Sequence, residues 1–147
     1  MVASFAAALE REQGQQLRAA RPGIVRVHHV QITVPPGAEN EARRFYCSVL
    51  GLREVPKPEL LAARGGLWLE QEGFQVHIGV EDGVDRRATK AHVAYEVNDL
   101  TAWRAHLEAL GLTITEGIQA PGLPRFEVRD PFGNRIEFVQ PDRVAGK

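Results

Sequence analysis

A chain of 147 residues with 44% hydrophobic and 25% charged content has the balance of an ordinary globular domain and is long enough to bury a core, so one domain is expected. Its formal net charge of -1, with no long run of like charge, argues against nucleic acid or an anionic membrane as partner and leaves a small molecule as the better one. The single cysteine, Cys47, excludes an intrachain disulfide and fits a reducing, cytoplasmic setting.

Taken in chain order, residues 3–20 read as an Ala/Glu/Gln/Arg helix with sparse apolar positions at Phe5, Leu9 and Leu17, ended by Pro22-Gly23. Glu10, Arg11 and Glu12 follow the Ala-rich start, which is unlike a secretory leader, and no apolar run reaches membrane-spanning length. Residues 1–23 are therefore expected to form a helical extension that packs on the domain or on a second subunit. Residues 25–34, 67–70, 74–80, 91–97, 125–129 and 135–139 are short, β-branched or alternating, and bounded by Gly, Pro, Asn or Asp, which predicts strands. Weaker strand patterns fall around Arg53–Val55 and Thr113–Glu116. The spacing of Ala42, Phe45, Tyr46 and Val49 predicts a helix over 39–50, and that of Leu100, Trp103, Leu107 and Leu110 a helix over 99–110, each stopped by a Gly. Cys47 falls in the first helix and reads as a half-buried thiol without special reactivity. Asp130-Pro131-Phe132-Gly133-Asn134 reads as a tight connection between two strands.

The chain repeats itself. His29-Val30-Gln31-Ile32-Thr33-Val34 leads through a turn and a helix to Leu50-Gly51-Leu52, and His92-Val93-Ala94-Tyr95-Glu96-Val97 leads likewise to Leu110-Gly111-Leu112. The first copy is three residues longer between these landmarks, which fits the Pro35-Pro36-Gly37 turn. The same offset of 27 positions from Leu50 and from Leu110 lands on His77 and on Glu137. Both residue types bind metals, and chance puts a His at a nominated position only about once in thirty. Each copy thus reads as a β-α unit followed by further strands, about four strands per copy, the first over about 24–81 and the second over about 90–140.

Alternation along each strand places His29, His77, His92 and Glu137 opposite the apolar face of its own strand. If helices cover the apolar faces, all four look into the space that the two sheets curl around. Three imidazoles and a carboxylate suit one divalent transition metal ion, Zn, Ni, Co, Mn or Fe(II), and are too nitrogen-rich for Ca or Mg. On a six-coordinate ion they leave two positions open for water or substrate oxygens. His28 on the opposite face and His106 in a helix read as structural, Phe45 and Trp103 as core, and Arg125 and Trp68 as secondary pocket candidates.

His-x-x-Ile-x-Val, then Ala-Arg-Arg-Phe-Tyr…Leu-Gly-Leu, then Asp-Pro-Phe-Gly-Asn-Arg-Ile-Glu-Phe resembles the glyoxalase/bleomycin-resistance/extradiol-dioxygenase superfamily, the vicinal oxygen chelate proteins, over residues 24–140. The resemblance implies an α+β fold of two tandem βαβββ modules forming an incomplete barrel around a metal, in one domain spanning 24–147. It places the metal ligands at His29, His77, His92 and Glu137 and implies a homodimer, since members of this family often pair modules across two chains. The chain departs from glyoxalase I at residue 77, where those enzymes usually carry a carboxylate, and this counts against lactoylglutathione as substrate.

The leading expectation is a lyase or isomerase whose substrate chelates the metal through vicinal oxygens, with Glu137 as the base that moves a proton next to a carbonyl. The alternatives are Fe(II) ring-cleaving dioxygenation, against which a coordinating His77 counts because it takes an open position, and sequestration of a drug without catalysis. Loops 56–66 and 117–125 carry no motif that names the substrate.

Overall fold

The computed structural model describes residues 22–143, so the expected helix at 3–20 lies outside the described residues. Module one comprises β1 (His29–Val34), helix α1 (Glu39–Arg43) running on as a π-helix (Arg44–Val49), β2 (Arg53–Val55), the short α2 (Glu59–Ala62), β3 (Leu67–Gln71) and β4 (Phe74–Val80). Module two comprises β5 (His92–Glu96), α3 (Leu100–Ala109), β6 (Arg125–Arg129) and β7 (Arg135–Val139). Two mixed sheets result, in the orders β1-β4-β3-β2 and β5-β7-β6. In each, the module's first strand runs parallel to its last, β1 with β4 and β5 with β7, while the last strand pairs antiparallel with the one before it. The α+β fold that the resemblance implies is therefore present, with the sheets separate and no closed barrel. Among the described residues, no helix is long and apolar enough to cross a membrane.

Three departures from the sequence reading have physical causes. Strand β1 starts at His29 and not at residue 25, because His29 pairs with Gln75 and β4 begins one residue earlier, at Phe74. Ile24, Val25 and Val27 are left outside the sheet, strongly exposed. The helix expected over 39–50 changes pitch at Arg44 and is closed by a bond from Leu50 N–H to Phe45 O, five residues back. The fourth strand expected in module two shrinks to one pairing of Thr115 with Glu127. That pairing has little room to lengthen, because the chain leaves through Gly117 and returns through Pro124, which has no N–H to give to a ladder.

The repeated Leu-Gly-Leu is a helix stop. After α3, Gly111 adopts φ 80°, its N–H donates to Glu108 O at 2.9 Å and Leu112 N–H donates to Leu107 O at 3.0 Å, which satisfies two carbonyls that the helix end would leave bare. The same helix starts at Asp99, whose side chain accepts from Ala102 N–H. A single core joins both modules: Phe45, Tyr46, Leu69, Val76 and Ile78 pack in one cluster with Leu107, Phe126, Ile136 and Phe138.

The Asp-Pro-Phe-Gly-Asn connection rivets the modules together. The buried Asp130 carboxylate accepts from Phe132 N–H and Asn134 N–H within its own turn, and from the hydroxyl of Tyr46 in module one at 2.7 Å. Asn134 adds a bond from its amide to Thr33 O at the end of β1. The linker between modules is held by Arg86, whose buried guanidinium donates to Thr33 O and Glu81 O, both at 2.7 Å. Together these contacts set where one sheet sits against the other.

Candidate functional site

On the first sheet, the register places His77 between Gln31 of β1 and Trp68 of β3. The His77 ring is sandwiched: the His29 ring lies 4.1 Å away by centroid, with 13° between planes, and the Trp68 indole lies 4.2 Å away on the other side at 6°. This stack leaves His77 only 7% exposed. Burial pushes the His77 imidazole below its ordinary pKa, and the nearby His29, His28 and Lys57 push the same way. The neutral ring, the form that binds metals, is thereby favoured. His77 Nε2 donates to Gln75 Oε1 at 3.0 Å, which leaves the lone pair on Nδ1. His29 is exposed and shares one hydrogen bond with His28, Nδ1 to Nδ1 at 3.0 Å.

On the second sheet, Ala94 of β5 stands beside Glu137 of β7, and Glu127 of β6 stands on its other side. The small Ala94 leaves room for the His92 ring, two residues along the same face, to reach Glu137. His92 Nδ1 donates to Lys90 O at 2.8 Å, so Nε2 carries the lone pair, and it faces Glu137 Oε2 at 3.4 Å. With the ring neutral, Nε2 and the carboxylate oxygen are both acceptors, an arrangement that suits a cation between them. Glu137 is buried, and its other oxygen lies 3.6 Å from Arg125 Nη1.

The four residues nominated by the repeat therefore come together in pairs, His29 with His77 and His92 with Glu137, one pair to each sheet. The pairs do not meet within one chain: among the described residues, no three His, Cys, Asp or Glu side chains lie close enough to hold a metal ion. The donor chemistry fits a transition metal in each half, with two imidazoles on one side and an imidazole beside a carboxylate on the other.

A cavity of about 600 Å³ opens between the modules, lined by His29, Val30, Phe74, Tyr95, Trp103 and Phe138 among others. His106 donates to Val49 O and serves the packing of two helices, and burial raises the Cys47 thiol pKa, which makes it less reactive. Sequence reasoning gave Trp68 and Arg125 little weight, although each lies on a ligand-bearing face. The signal was the strand register, since a residue paired directly with His77 must share its face.

Comparison with known proteins agrees with the fold. Residues 26–138 match the family model described as Glyoxalase/Bleomycin resistance protein/Dioxygenase superfamily. A solved structure described as a glyoxalase family protein from Bacillus anthracis is 40% identical, with a TM-score of 0.77 over 82% of this chain and 98% of its own. The fold is also shared with TnmS3, an antibiotic binding protein from Streptomyces sp. CB03234, at 19% identity and TM-score 0.62, over 81% of this chain and 99% of its own. It is shared too with the fosfomycin resistance protein FosX from Listeria monocytogenes, at 16% identity and TM-score 0.66, over 81% and 93%. No curated protein matches. The chain belongs to the glyoxalase/bleomycin-resistance/dioxygenase superfamily.

Proposed function

We propose that this protein is a metal-dependent lyase or isomerase acting on a small substrate with vicinal oxygens, and that its metal is shared between two copies of the chain. His29 and His77 of one copy would face His92 and Glu137 of the other, in a homodimer with two such sites. The observation that carries this reading is the confrontation of His92 Nε2 with Glu137 Oε2 at 3.4 Å, at positions that repeat those of His29 and His77 in the other module. Each pair is half of a four-ligand set.

When bound, the metal would supply Lewis-acid polarisation to the substrate oxygens it chelates. The chain's own residues do the rest. Lys90 O holds the His92 ring in the tautomer that leaves Nε2 bare. Glu137, buried beside a guanidinium, would take a proton from the carbon next to a carbonyl and return it. Trp68 stacks on the His77 ring and holds its plane.

Elemental analysis and zinc titration of the purified chain test the reading, with close to one ion per chain expected. Protein that is metal-free and also fails to take up Zn, Ni, Co, Mn or Fe(II) contradicts it. A second reading, a binder without turnover, draws on the apolar cavity between the modules. Retained metal with no turnover of any 2-oxoaldehyde adduct, acyl thioester or catechol would favour it.

A further inference from the structure

The arginines on the ligand face of the second sheet are not equivalent. Arg135 Nε is buried, makes no hydrogen bond among the described residues, and lies 3.5 Å from Glu127 Oε2, so it forms an ion pair with a carboxylate that the proposed site does not use. Arg129 donates through Nη1 to the carbonyls of Gly133 and Arg86. Arg125 differs. Like Arg135 it makes an ion pair without a hydrogen bond, but its carboxylate, at 3.6 Å from Nη1, is Glu137, which the proposed site does use. Its guanidinium is aimed by a bond from Nη2 to Ile118 O at 2.9 Å, and the loop that supplies that carbonyl is braced in turn by Gln119 Nε2, which donates to Arg125 O and Gly117 O. The side chain keeps 28% of its surface exposed, against 7% for Glu137.

With Glu137 committed to the metal ion and to proton transfer, Arg125 holds an oriented, partly exposed cation at the rim of the site, with Nη1 hydrogen-bonded to nothing among the described residues. A guanidinium in that state is a receptor for a carboxylate or another oxyanion. We propose that the substrate carries an anionic group in addition to its chelating oxygens, and that Arg125 is the specificity-determining residue that receives it. This rests on the metal-site reading above and adds the charge class of the substrate to it.

The probe is a matched pair of ligands, catechol and 3,4-dihydroxybenzoate, which share one chelating pair of oxygens and differ by a carboxylate that cannot reach the same ion. Calorimetry on the zinc-loaded, full-length protein gives their affinities. We expect Arg125→Gln to keep its zinc and to lose at least about tenfold of the wild-type preference for the carboxylate-bearing ligand, the size expected for a charge-assisted pair. Arg125→Lys should keep zinc and part of the preference, since it keeps the charge and loses the fork. An affinity ratio unchanged in Arg125→Gln overturns the proposal, and so does loss of zinc in both variants, which would make Arg125 a prop for Glu137. Failure of the wild-type protein to take up zinc or any related ion overturns the metal-site reading itself and is seen before any ligand is added.

Discussion

The indole of Trp68 lies flat on the imidazole of His77, 4.2 Å between centroids and 6° between planes. An indole in that position must sense any ion that His77 binds, through the charge placed on the stacked ring. The chain has two tryptophans, and the other, Trp103, packs against Phe138 and His106. In Trp103→Phe protein, zinc or nickel should therefore change the remaining fluorescence, and His77→Ala should abolish the change. An emission spectrum untouched by saturating metal would show that His77 is not a ligand.

Glu137 and His92 should separate when replaced. Glu137→Gln keeps size and one coordinating oxygen and loses basicity, so metal is weakened or partly retained while turnover falls by at least the ~10²-fold typical of general acid-base catalysis. His92→Ala removes a ligand outright, and metal and activity should fall together. Metal content and turnover on the same preparations check this. A Glu137→Gln protein that stays loaded and fully active rules Glu137 out as the base.

The hydrogen bond from Tyr46 to Asp130 crosses between modules in the core. Tyr46→Phe leaves a buried carboxylate short of one donor, which should cost about 1–3 kcal/mol of stability. Denaturant unfolding measures it, and a loss below about 0.5 kcal/mol, the scale of an ordinary surface change, would remove the rivet from the account.

Alkaline pH probes the same bond. Burial first, and then the negative charge of Asp130, raise the Tyr46 pKa well above the usual tyrosine value, and the same causes raise that of Tyr95. A group whose folded pKa is raised contributes stability that is complete below its unfolded pKa, about 10 for tyrosine, and is lost as pH climbs from there toward the folded value. These are the chain's two tyrosines. Folded protein should thus show almost no phenolate absorbance at a pH where unfolded protein is largely ionised. Titration of either tyrosine near its ordinary pKa in folded protein contradicts their burial.

Much of this was legible in the sequence, because the repeat acts as an internal alignment. The offsets from Leu50 and Leu110 found His77 and Glu137, and the stop after α3 follows from glycine's freedom at positive φ, seen at Gly111. What stayed hidden depends on contacts remote in sequence. The start of β1 is set by where β4 begins, and the missing fourth strand of module two by how the chain leaves and returns around Gly117 and Pro124. The aim of Arg125 is set by a carbonyl seven residues away in a loop. Alternation along a strand gives the face of a side chain but not which other sheet that face will meet, so it could not show that the two ligand pairs stay apart within one chain.

The most direct test of the shared metal site is subunit complementation. His29→Ala/His77→Ala protein keeps the second half-site, and His92→Ala/Glu137→Ala protein keeps the first, so neither variant alone should hold metal. When the two are unfolded together and refolded as a mixture, each mixed dimer contains one complete set of four ligands, contributed by both chains, and one set with none. The account predicts one tightly bound zinc per mixed dimer. A mixture that refolds to dimers and binds no more zinc than the separate variants contradicts it.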